Sequence, residues 1–302
     1  MAIWTLAMGN WCQPPTLTAP AATKGSTNVA TALSAVEDWP ATTTAVGVTT
    51  AARTVAIHGP IDHPFALASV TKPLAAWAVL VAVSRGALSL DEPIASRAIG
   101  PDVTIAHLLA HASGLGPDAS SPVSGVGRRR IYSNHGFEVL GELTAAAVGQ
   151  PFEAWLEVAV LTPLAMTTTR LEGSPAHAAT STVRDLLAFA RELLRPTLLS
   201  VELHARASSP AFAELAGVLP GYGRQDPNPW GLGVEIRGDK QPHWTGASHS
   251  RATFGHFGQS GTFLWVDPSV QRAAVCLTDL AFGAWAVAAW PAFNDMVRAT
   301  YA

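Results

Sequence analysis

The chain has 302 residues, enough to bury a large core as one big domain or as two modest ones. Hydrophobic residues make up 48% of it and charged residues only 14%, a balance that excludes an intrinsically disordered chain. The formal net charge of −3 gives no reason to expect a nucleic-acid partner. The one basic run, Arg128-Arg129-Arg130, is interpreted as a solvated loop face because no second basic segment accompanies it.

Cysteine usage and hydropathy argue against a zinc-binding, a disulfide-stabilised and a transmembrane protein. Cys12 and Cys276 show neither the spacing of a zinc site nor a disulfide framework, and Cys276 lies in an apolar run typical of a core position. No stretch reaches the roughly 18 apolar residues that a transmembrane helix needs, so no stable membrane insertion is expected. The first residues lack the features of a secretory signal, which favours a cytoplasmic location. Residues 1–40, rich in Ala, Thr and Pro, are interpreted as an N-terminal arm.

The first predicted elements are a β-hairpin and a helix. Residues 42–59 contain two β-branched runs joined by a tight turn, the pattern of an antiparallel hairpin. An apolar helix is predicted from Ser69 to Arg85, and Gly86 stands where a left-handed residue commonly ends a helix.

The rest of the chain divides into a helical middle and a strand-rich end. Residues from about 90 to 200 are predicted to be mostly helical, with Gly and Pro breaks. After about residue 228 the runs WGLGVEI, TFGHFG, TFLWVDP and RAAVCLTD read as strands, and a last helix closes the chain. The predicted fold class is therefore α+β, with an antiparallel sheet of about five strands flanked by N- and C-terminal helices. The sheet region would comprise residues 41–90 and 200–302, and a helical subdomain over 91–199 would complete one catalytic unit.

A serine and a lysine open the long apolar helix. Residues three apart on a helix share a face, so the Ser69 hydroxyl and the Lys72 amine can meet. A buried lysine can act as a base towards serine because desolvation lowers its pKa. A chance S-x-x-K in such a chain has odds of roughly one in five, so this pair alone is a weak signal.

The tripeptide Tyr132-Ser133-Asn134 begins a predicted helix. Ser133 or Asn134 could simply be the N-cap of that helix, a common role for both residue types. The chemical alternative is that Tyr132 shuttles a proton beside a lysine while the Asn134 amide holds a substrate carbonyl. The odds of a chance Y-S-N are only about one in 300, which makes this signal stronger than the first.

A third pattern, His256-Phe257-Gly258, lies on a predicted strand. An H-x-G triplet is expected about once by chance, so its weight depends on the two motifs that precede it. Gly258 would let a backbone lie against a ligand, and the alternative for His256 is an ordinary hydrogen-bonded strand histidine.

In this order the three motifs resemble those of the serine β-lactamase and penicillin-binding-protein superfamily. The similarity is closest to its class C β-lactamase-like branch, which includes esterases, D-aminopeptidases and D-alanyl-D-alanine carboxypeptidases. Segments that carry the resemblance over roughly residues 40 to 300 are FALASVTKPLAA, HLLAHASGLG, YSNHGFEVLGEL, LTPLAMTTTRLEG, WGLGVEI and FGHFGQSGTFLWVDP. The resemblance implies the β-lactamase/transpeptidase-like fold.

The resemblance also implies a role for each motif residue. Ser69 would be the acylated nucleophile, Lys72 its proton partner and Tyr132 the second acid/base that activates the deacylating water. Asn134, His256 and Gly258 would bind substrate. The main-chain N–H groups of Ser69 and Gln259 would form the oxyanion hole. No cofactor and no metal are implied, and the substrate would be a small molecule or short peptide.

The third motif departs from the β-lactamase pattern. That pattern has a lysine and a threonine for a substrate carboxylate, whereas His256 is mostly neutral near pH 7 and Phe257 brings no hydroxyl. The sequence therefore favours an esterase or a D-amino-acid amidase or peptidase over a carboxypeptidase or a β-lactamase.

The sequence also contains patterns that could indicate a different kind of site. His107 and His111 have the spacing of a zinc pair, but the catalytic glutamate and an evident third ligand are missing. No G-x-S-x-G elbow occurs, and GVLPGYGRQDPNPWGLG is interpreted as a loop at the rim of a cleft. A hypothesis from a different class is a binding or regulatory protein that keeps this fold without turnover. The sequence indicates no oligomeric state.

Overall fold

A computed structural model describes residues 29–94, 99–118 and 121–302. Cys12 and most of the predicted N-terminal arm lie outside these ranges, and the last residues of that arm form a short helix and a 3-10 turn. The α-helices, in chain order, are Val29–Ser34 (α1), Thr71–Ser84 (α2), Ile105–Leu109 (α3), Asn134–Val148 (α4), Phe152–Leu156 (α5), Val183–Leu194 (α6), Val201–Ala207 (α7) and Ala284–Tyr301 (α8). A π-helical turn, Glu157–Leu161, continues α5.

The main sheet has six antiparallel strands in the order β2-β1-β11-β10-β9-β8. These strands are Thr44–Thr49 (β1), Thr54–His58 (β2), Glu235–Ile236 (β8), Phe254–Gly258 (β9), Thr262–Asp267 (β10) and Arg272–Thr278 (β11). A small second sheet consists of Phe65–Ala66 (β3), Arg170–Leu171 (β4) and Ala179–Ser181 (β5), and a two-stranded hairpin of Gly217–Leu219 (β6) and Gly223–Gln225 (β7). The predicted antiparallel sheet built from both ends of the chain is confirmed.

Both faces of the main sheet are covered, which explains why its central strands read as continuous apolar runs. Along β11, Ala273, Val275 and Leu277 face the core that includes α2 and α6. Ala274 and Cys276 face the second core, formed with α1 and α8. Because side chains alternate along a strand, each core receives every second residue. Cys276 is a fully buried core residue, as its sequence context predicts.

The long helix α2 is buried almost all round and lies between the sheet and the helical region. Its side chains from Thr71 to Ala82 are all buried, so it has no polar face. It ends at Ser84, and Gly86 adopts φ 75°, the left-handed conformation expected just beyond a helix. Within the described ranges, no helix is long and apolar enough to cross a membrane.

Candidate active site

Ser69 lies on a single 3-10 turn, Ala68–Val70, that leads into α2. The prediction that the α-helix itself begins at Ser69 is therefore two residues early. Ala68 has φ 45°, in the left-handed region that a residue with a side chain adopts only at a cost of about 1–3 kcal/mol. A residue in that region interrupts helical geometry directly before the serine, and such strain is typical of functional sites.

The 3-10 turn Ala68–Val70, called the serine turn below, is anchored through Leu67 by hydrogen bonds to two strands. The N–H of Leu67 donates to the carbonyl oxygen of Ala179 in β5 at 2.9 Å, and the Thr262 hydroxyl donates to the Leu67 carbonyl, also at 2.9 Å. Strand β9 approaches the same carbonyl so closely that a Cβ on Gly258 would overlap it. The predicted need for glycine at this position thus has a structural cause, although the backbone that approaches is the protein's own.

Lys72 is fully buried and is surrounded by oxygen acceptors. Its Nζ lies 2.7 Å from Asn134 Oδ1, 2.9 Å from the Ala176 carbonyl oxygen and 3.3 Å from Ser69 Oγ. Burial lowers the pKa of Lys72 to about 7, against the opposing charges of Asp118 and Glu138. A substantial fraction of the amine is therefore neutral near pH 7, as a base towards serine requires.

The Tyr132-Ser133-Asn134 segment leads into α4, and the predicted N-cap of that helix is present. Ser133 is the N-cap of α4, since its hydroxyl accepts from the Gly136 N–H at 3.0 Å. Asn134 bonds Lys72 through its oxygen, and its nitrogen donates to Asp118 Oδ1 at 3.0 Å. The capping serine thereby aligns the two residues on either side of it with the lysine.

Tyr132 lies beside Lys72, with the lysine Nζ 4.6 Å from the centre of its ring. Its hydroxyl is buried next to the Ser69 hydroxyl and makes no hydrogen bond of standard geometry in the described part of the chain. Burial raises the pKa of Tyr132 well above its ordinary value, although the neighbouring Ser69 hydroxyl offsets part of this effect. The phenol therefore stays protonated across the neutral range.

His256 is buried on β9 and faces the same site. Its Nδ1 lies 2.6 Å from the carbonyl oxygen of Phe257, and its Nε2 bonds to no described group. Burial, with the charge of Lys72 as a smaller cause, lowers the pKa of His256 to about 3. The prediction that this histidine is uncharged near pH 7 agrees with its environment.

The cleft at this site is narrow. Nine residues line it: Ser69, Tyr132, Leu219, Pro220, Trp230, Glu235, His256, Phe257 and Gln259. Its cavity volume is ≈ 20 Å³, room for about one water molecule. The segment predicted to form the cleft rim does so, because Leu219, Pro220 and Trp230 belong to it.

The two predicted oxyanion donors lie at this cleft. Within the 3-10 turn, Val70 is the first residue whose N–H has an acceptor, the Leu67 carbonyl oxygen at 3.2 Å. Ser69 comes directly before it. Gln259 is the first residue after β9. Main-chain N–H groups at the start of a helical turn have no intrahelical acceptor, so that of Ser69 suits an incoming oxyanion.

A buried ionic cluster centred on Glu235, at the wall of the cleft, has no counterpart in the sequence analysis. The Glu235 carboxylate contacts Lys240 Nζ, His243 Nε2 at 2.9 and 3.0 Å, and Trp244 Nε1 at 2.5 Å. The charge and hydrogen bonds of His243 and Lys240 outweigh the effect of burial and hold the pKa of Glu235 well below its usual range. Burial lowers the pKa of Lys240 to about 8, although Glu235 opposes that shift.

A sequence signal for this cluster exists in retrospect. Glu235 is a charged residue inside the apolar strand pattern WGLGVEI, where a carboxylate needs a partner. Its neighbour Trp230, also missed, packs against His256 with ring centres 5.4 Å apart and against His111 at 4.7 Å.

The interpretation of the arginine run is wrong for Arg130. Arg128 and Arg129 are exposed, but Arg130 is buried, and its guanidinium donates to the carbonyl oxygens of Ala110, Ala211, Phe212 and Asn228. Burial lowers its pKa to about 10. A planar guanidinium with five donors can bond several main-chain carbonyls at once, and the composition of the arginine run gives no sign of this.

The two histidines with zinc-pair spacing have separate structural partners. Thr104 donates its N–H to His107 Nδ1 at 3.3 Å, and Ser133 donates its N–H to His111 Nδ1 at 3.1 Å. Within the described ranges, no three His, Cys, Asp or Glu side chains gather as they would around a metal ion.

Comparison with known proteins places this site in a family. A sequence model of the Beta-lactamase family matches residues 22–293. The structure of a beta-lactamase from Mycobacterium bovis is 49% identical, and the match covers 89% of this chain and 99% of that one with a TM-score of 0.86. The D-alanine carboxypeptidase AmpC from Burkholderia cenocepacia is 18% identical over 90% of this chain and 97% of its own, with a TM-score of 0.69, a likeness of fold alone.

A further relative is an esterase. Esterase EstB from Burkholderia gladioli is 33% identical over an alignment of 147 residues, which covers 35% of this chain and 38% of the esterase. The alignment therefore spans well under half of that relative. The family match extends over most of the present chain, including all the motifs of the cleft. The chain belongs to the Beta-lactamase family.

Proposed function

We propose that the chain cleaves an ester or amide bond through an acyl-enzyme on Ser69, as an esterase or a D-amino-acid amidase or peptidase. One observation carries the proposal: the Lys72 amine is fully buried, has a pKa near 7 and lies 3.3 Å from Ser69 Oγ. A hydroxyl becomes a competent nucleophile when a positioned base removes its proton.

The contacts of Lys72 support its role as that base. Asn134 Oδ1 and the Ala176 carbonyl can only accept hydrogen bonds, and they are the two nearest oxygens to Nζ. A neutral amine has two N–H bonds, so both are used on these acceptors. The lone pair is then left for the Ser69 hydroxyl, the third neighbour.

Tyr132 supplies the second proton transfer in this proposal. When Ser69 Oγ attacks the substrate carbonyl, its proton passes to Lys72. The Tyr132 hydroxyl donates its own proton to the leaving group and regains one from the Lys72 ammonium. The raised pKa of Tyr132 supports a protonated phenol at this stage, and the N–H groups of Ser69 and Gln259 would stabilise the oxyanion.

The charge of the cleft bears on the substrate class. In the described part of the chain, none of the cleft-lining residues is a lysine or arginine, and His256 is neutral. A substrate carboxylate would therefore meet no fixed cation. We accordingly infer a small-molecule or short-peptide substrate that needs no carboxylate next to the bond that is cleaved.

A β-lactamase or a D-alanyl-D-alanine carboxypeptidase is the second candidate. The 49% identical protein from Mycobacterium bovis is described as a beta-lactamase, which supports this alternative on relatedness. The same acylation machinery would serve it, so only the substrate distinguishes the two candidates.

A labelling experiment tests the acyl-enzyme. The protein is incubated with a fluorophosphonate, p-nitrophenyl esters, D-amino-acid amides and penicillins, and intact mass is recorded over time. We expect an adduct on Ser69 and a fall of about three orders of magnitude or more in ester turnover for Ser69→Ala. Ser84→Ala, which removes a hydroxyl at the other end of α2, is the matched control and should label normally.

The panel also separates the alternatives. Faster acylation by penicillins than by esters and amides would favour the β-lactamase candidate. If no compound labels Ser69 and turnover equals that of Ser69→Ala, the chain is a binding protein that keeps the fold without catalysis.

A further inference from the structure

The tautomer of His256 is set by its own strand. Nδ1 lies 2.6 Å from the Phe257 carbonyl oxygen, which can only accept a hydrogen bond. Nδ1 therefore carries the hydrogen, and in the neutral ring Nε2 is left with a lone pair. The residue is buried, and Nε2 bonds to no group in the described ranges. An unpartnered buried acceptor needs an explanation, because desolvating it costs about 1–3 kcal/mol.

The surroundings of this acceptor point to its partner. His256 lines the cleft together with Ser69, Tyr132 and Gln259, and the cavity volume of ≈ 20 Å³ suits one water molecule. Tyr132 lies across from this nitrogen, with its ring centre 5.9 Å from that of His256 and its hydroxyl next to Ser69. A space of that size, bordered by an unpaired histidine nitrogen and a phenol hydroxyl beside Ser69, is suited to a reacting water.

We propose that His256 Nε2 accepts a hydrogen bond from the water that hydrolyses the acyl-enzyme and so holds that water for attack. The inference rests on the proposed acylation of Ser69. It gives His256 a part in deacylation as a hydrogen-bond acceptor, which a lysine ammonium at the same position could not perform.

Deacylation in this proposal moves one proton in each direction. The water oxygen attacks the acyl carbon, and one water proton passes to Tyr132 while the phenol proton moves to Lys72. The bond between the acyl carbon and Ser69 Oγ then breaks, Lys72 returns the proton to Oγ, and a carboxylic acid leaves. The second hydrogen stays on the water oxygen throughout and is the one donated to His256 Nε2.

A pair of amide substitutions isolates the acceptor. His256→Gln can place an amide oxygen near the position of Nε2. The shorter side chain of His256→Asn can keep the hydrogen bond to the Phe257 carbonyl but cannot place an acceptor at the position of Nε2. His256→Phe removes both nitrogens. Acyl-enzyme formation and decay are followed by stopped-flow and intact mass with a p-nitrophenyl ester. For Asn and Phe we expect an acyl-enzyme that persists about tenfold longer or more, with acylation slowed much less than deacylation. In the Gln variant we expect the lifetime of the acyl-enzyme to return most of the way to the wild-type value.

An alcohol nucleophile provides a second readout. Methanol has a single O–H, which is transferred during attack, so it has no hydrogen left for His256. In His256→Asn the ratio of methyl ester to acid product should therefore rise about tenfold over the wild-type ratio.

Each alternative result is decisive. Unchanged acyl-enzyme lifetimes, equal slowing of acylation and deacylation, or an unchanged product ratio would overturn the role of His256 while leaving the acyl-enzyme intact. Absence of any Ser69 adduct in the wild-type protein would instead overturn the proposed function. If His256→Phe does not fold, the acyl-enzyme lifetimes of His256→Asn and His256→Gln still test the role of His256.

Discussion

The Thr262 hydroxyl on β10 donates a hydrogen bond to the main-chain carbonyl of Leu67, two residues before Ser69, at 2.9 Å. The two residues are 195 positions apart in the chain, so this bond ties the end of the main sheet to the serine turn. It sets the position of Ser69 relative to the strand that carries His256. We therefore expect the proposed catalytic geometry to depend on a structural hydroxyl outside the three motifs.

Thr262→Val tests this link, because the two side chains have nearly the same shape. We expect the free energy of unfolding to fall by about 1 kcal/mol and kcat/KM for an ester to fall more than tenfold, since the turn loses its attachment. Denaturant unfolding and steady-state kinetics measure the two effects. Thr262→Ser keeps the hydroxyl and should retain most of the activity. Equal activity of the Val and Ser variants would contradict the role of the bond.

The rate of acylation should depend on pH through Lys72. The neutral amine is the active form and its pKa is about 7, so the rate should rise with pH through that value and then level off. The phenol of Tyr132 should cause no fall in the neutral range because its pKa is raised. Burst kinetics between pH 5 and 9 provide the measurement.

Two variants control the assignment to Lys72. Lys72→Arg keeps a charge that does not titrate and should be inactive at every pH tested. Asp118→Asn removes a charge that raises the pKa of Lys72, so its profile should shift to lower pH. A profile that is flat, or an inflection that Asp118→Asn leaves in place, would refute the assignment.

The Glu235 and Lys240 pair should show strong thermodynamic coupling. Either Glu235→Gln or Lys240→Met leaves a buried charge without its partner and should reduce the free energy of unfolding by about 3 kcal/mol or more at pH 7. The free energy of unfolding of the double variant should fall by less than the sum of the two single reductions, and the difference should be about 1–3 kcal/mol. If the two single reductions simply add up to that of the double variant, Glu235 and Lys240 are not energetically coupled.

The same pair predicts a pH dependence of stability. Because the folded pKa of Glu235 is lowered, its contribution is complete above the ordinary carboxyl pKa of about 4.3 and declines as the pH falls further. The stability difference between the wild-type protein and Glu235→Gln should therefore shrink below about pH 4. A difference that stays constant to pH 3 would contradict the lowered pKa.

The narrow cleft predicts a preference for short acyl groups. Its cavity volume of ≈ 20 Å³ leaves little room beside Ser69, so kcat/KM should fall from p-nitrophenyl acetate to the octanoate by more than tenfold. Leu219→Ala, which widens the wall formed by the β6–β7 hairpin, should raise the relative rate of the longer ester. The exposed Val218→Ala on the same strand is the control and should leave the preference as it is.

Several elements were accessible from local sequence because short-range physics decides them. An apolar run followed by Gly86 predicted α2, and β-branched runs predicted the first hairpin and the strands β9 to β11. The order of Ser69, Tyr132 and His256 predicted the chemistry of the cleft through resemblance. The exact helix start was missed, since the left-handed Ala68 is stabilised by distant contacts and by no local signal.

The sequence by itself determined which reactive groups the protein carries and the family to which it belongs. Only the tertiary structure decided how those groups behave. Lys72 owes its low pKa to burial, and its partners Asn134 and Ala176 lie 62 and 104 residues away. The tautomer of His256, the width of the cleft and the pairing of Glu235 with Lys240 likewise arise from packing. Desolvation and hydrogen bonding depend on what surrounds a group in space, and neighbours along the chain reveal little of that.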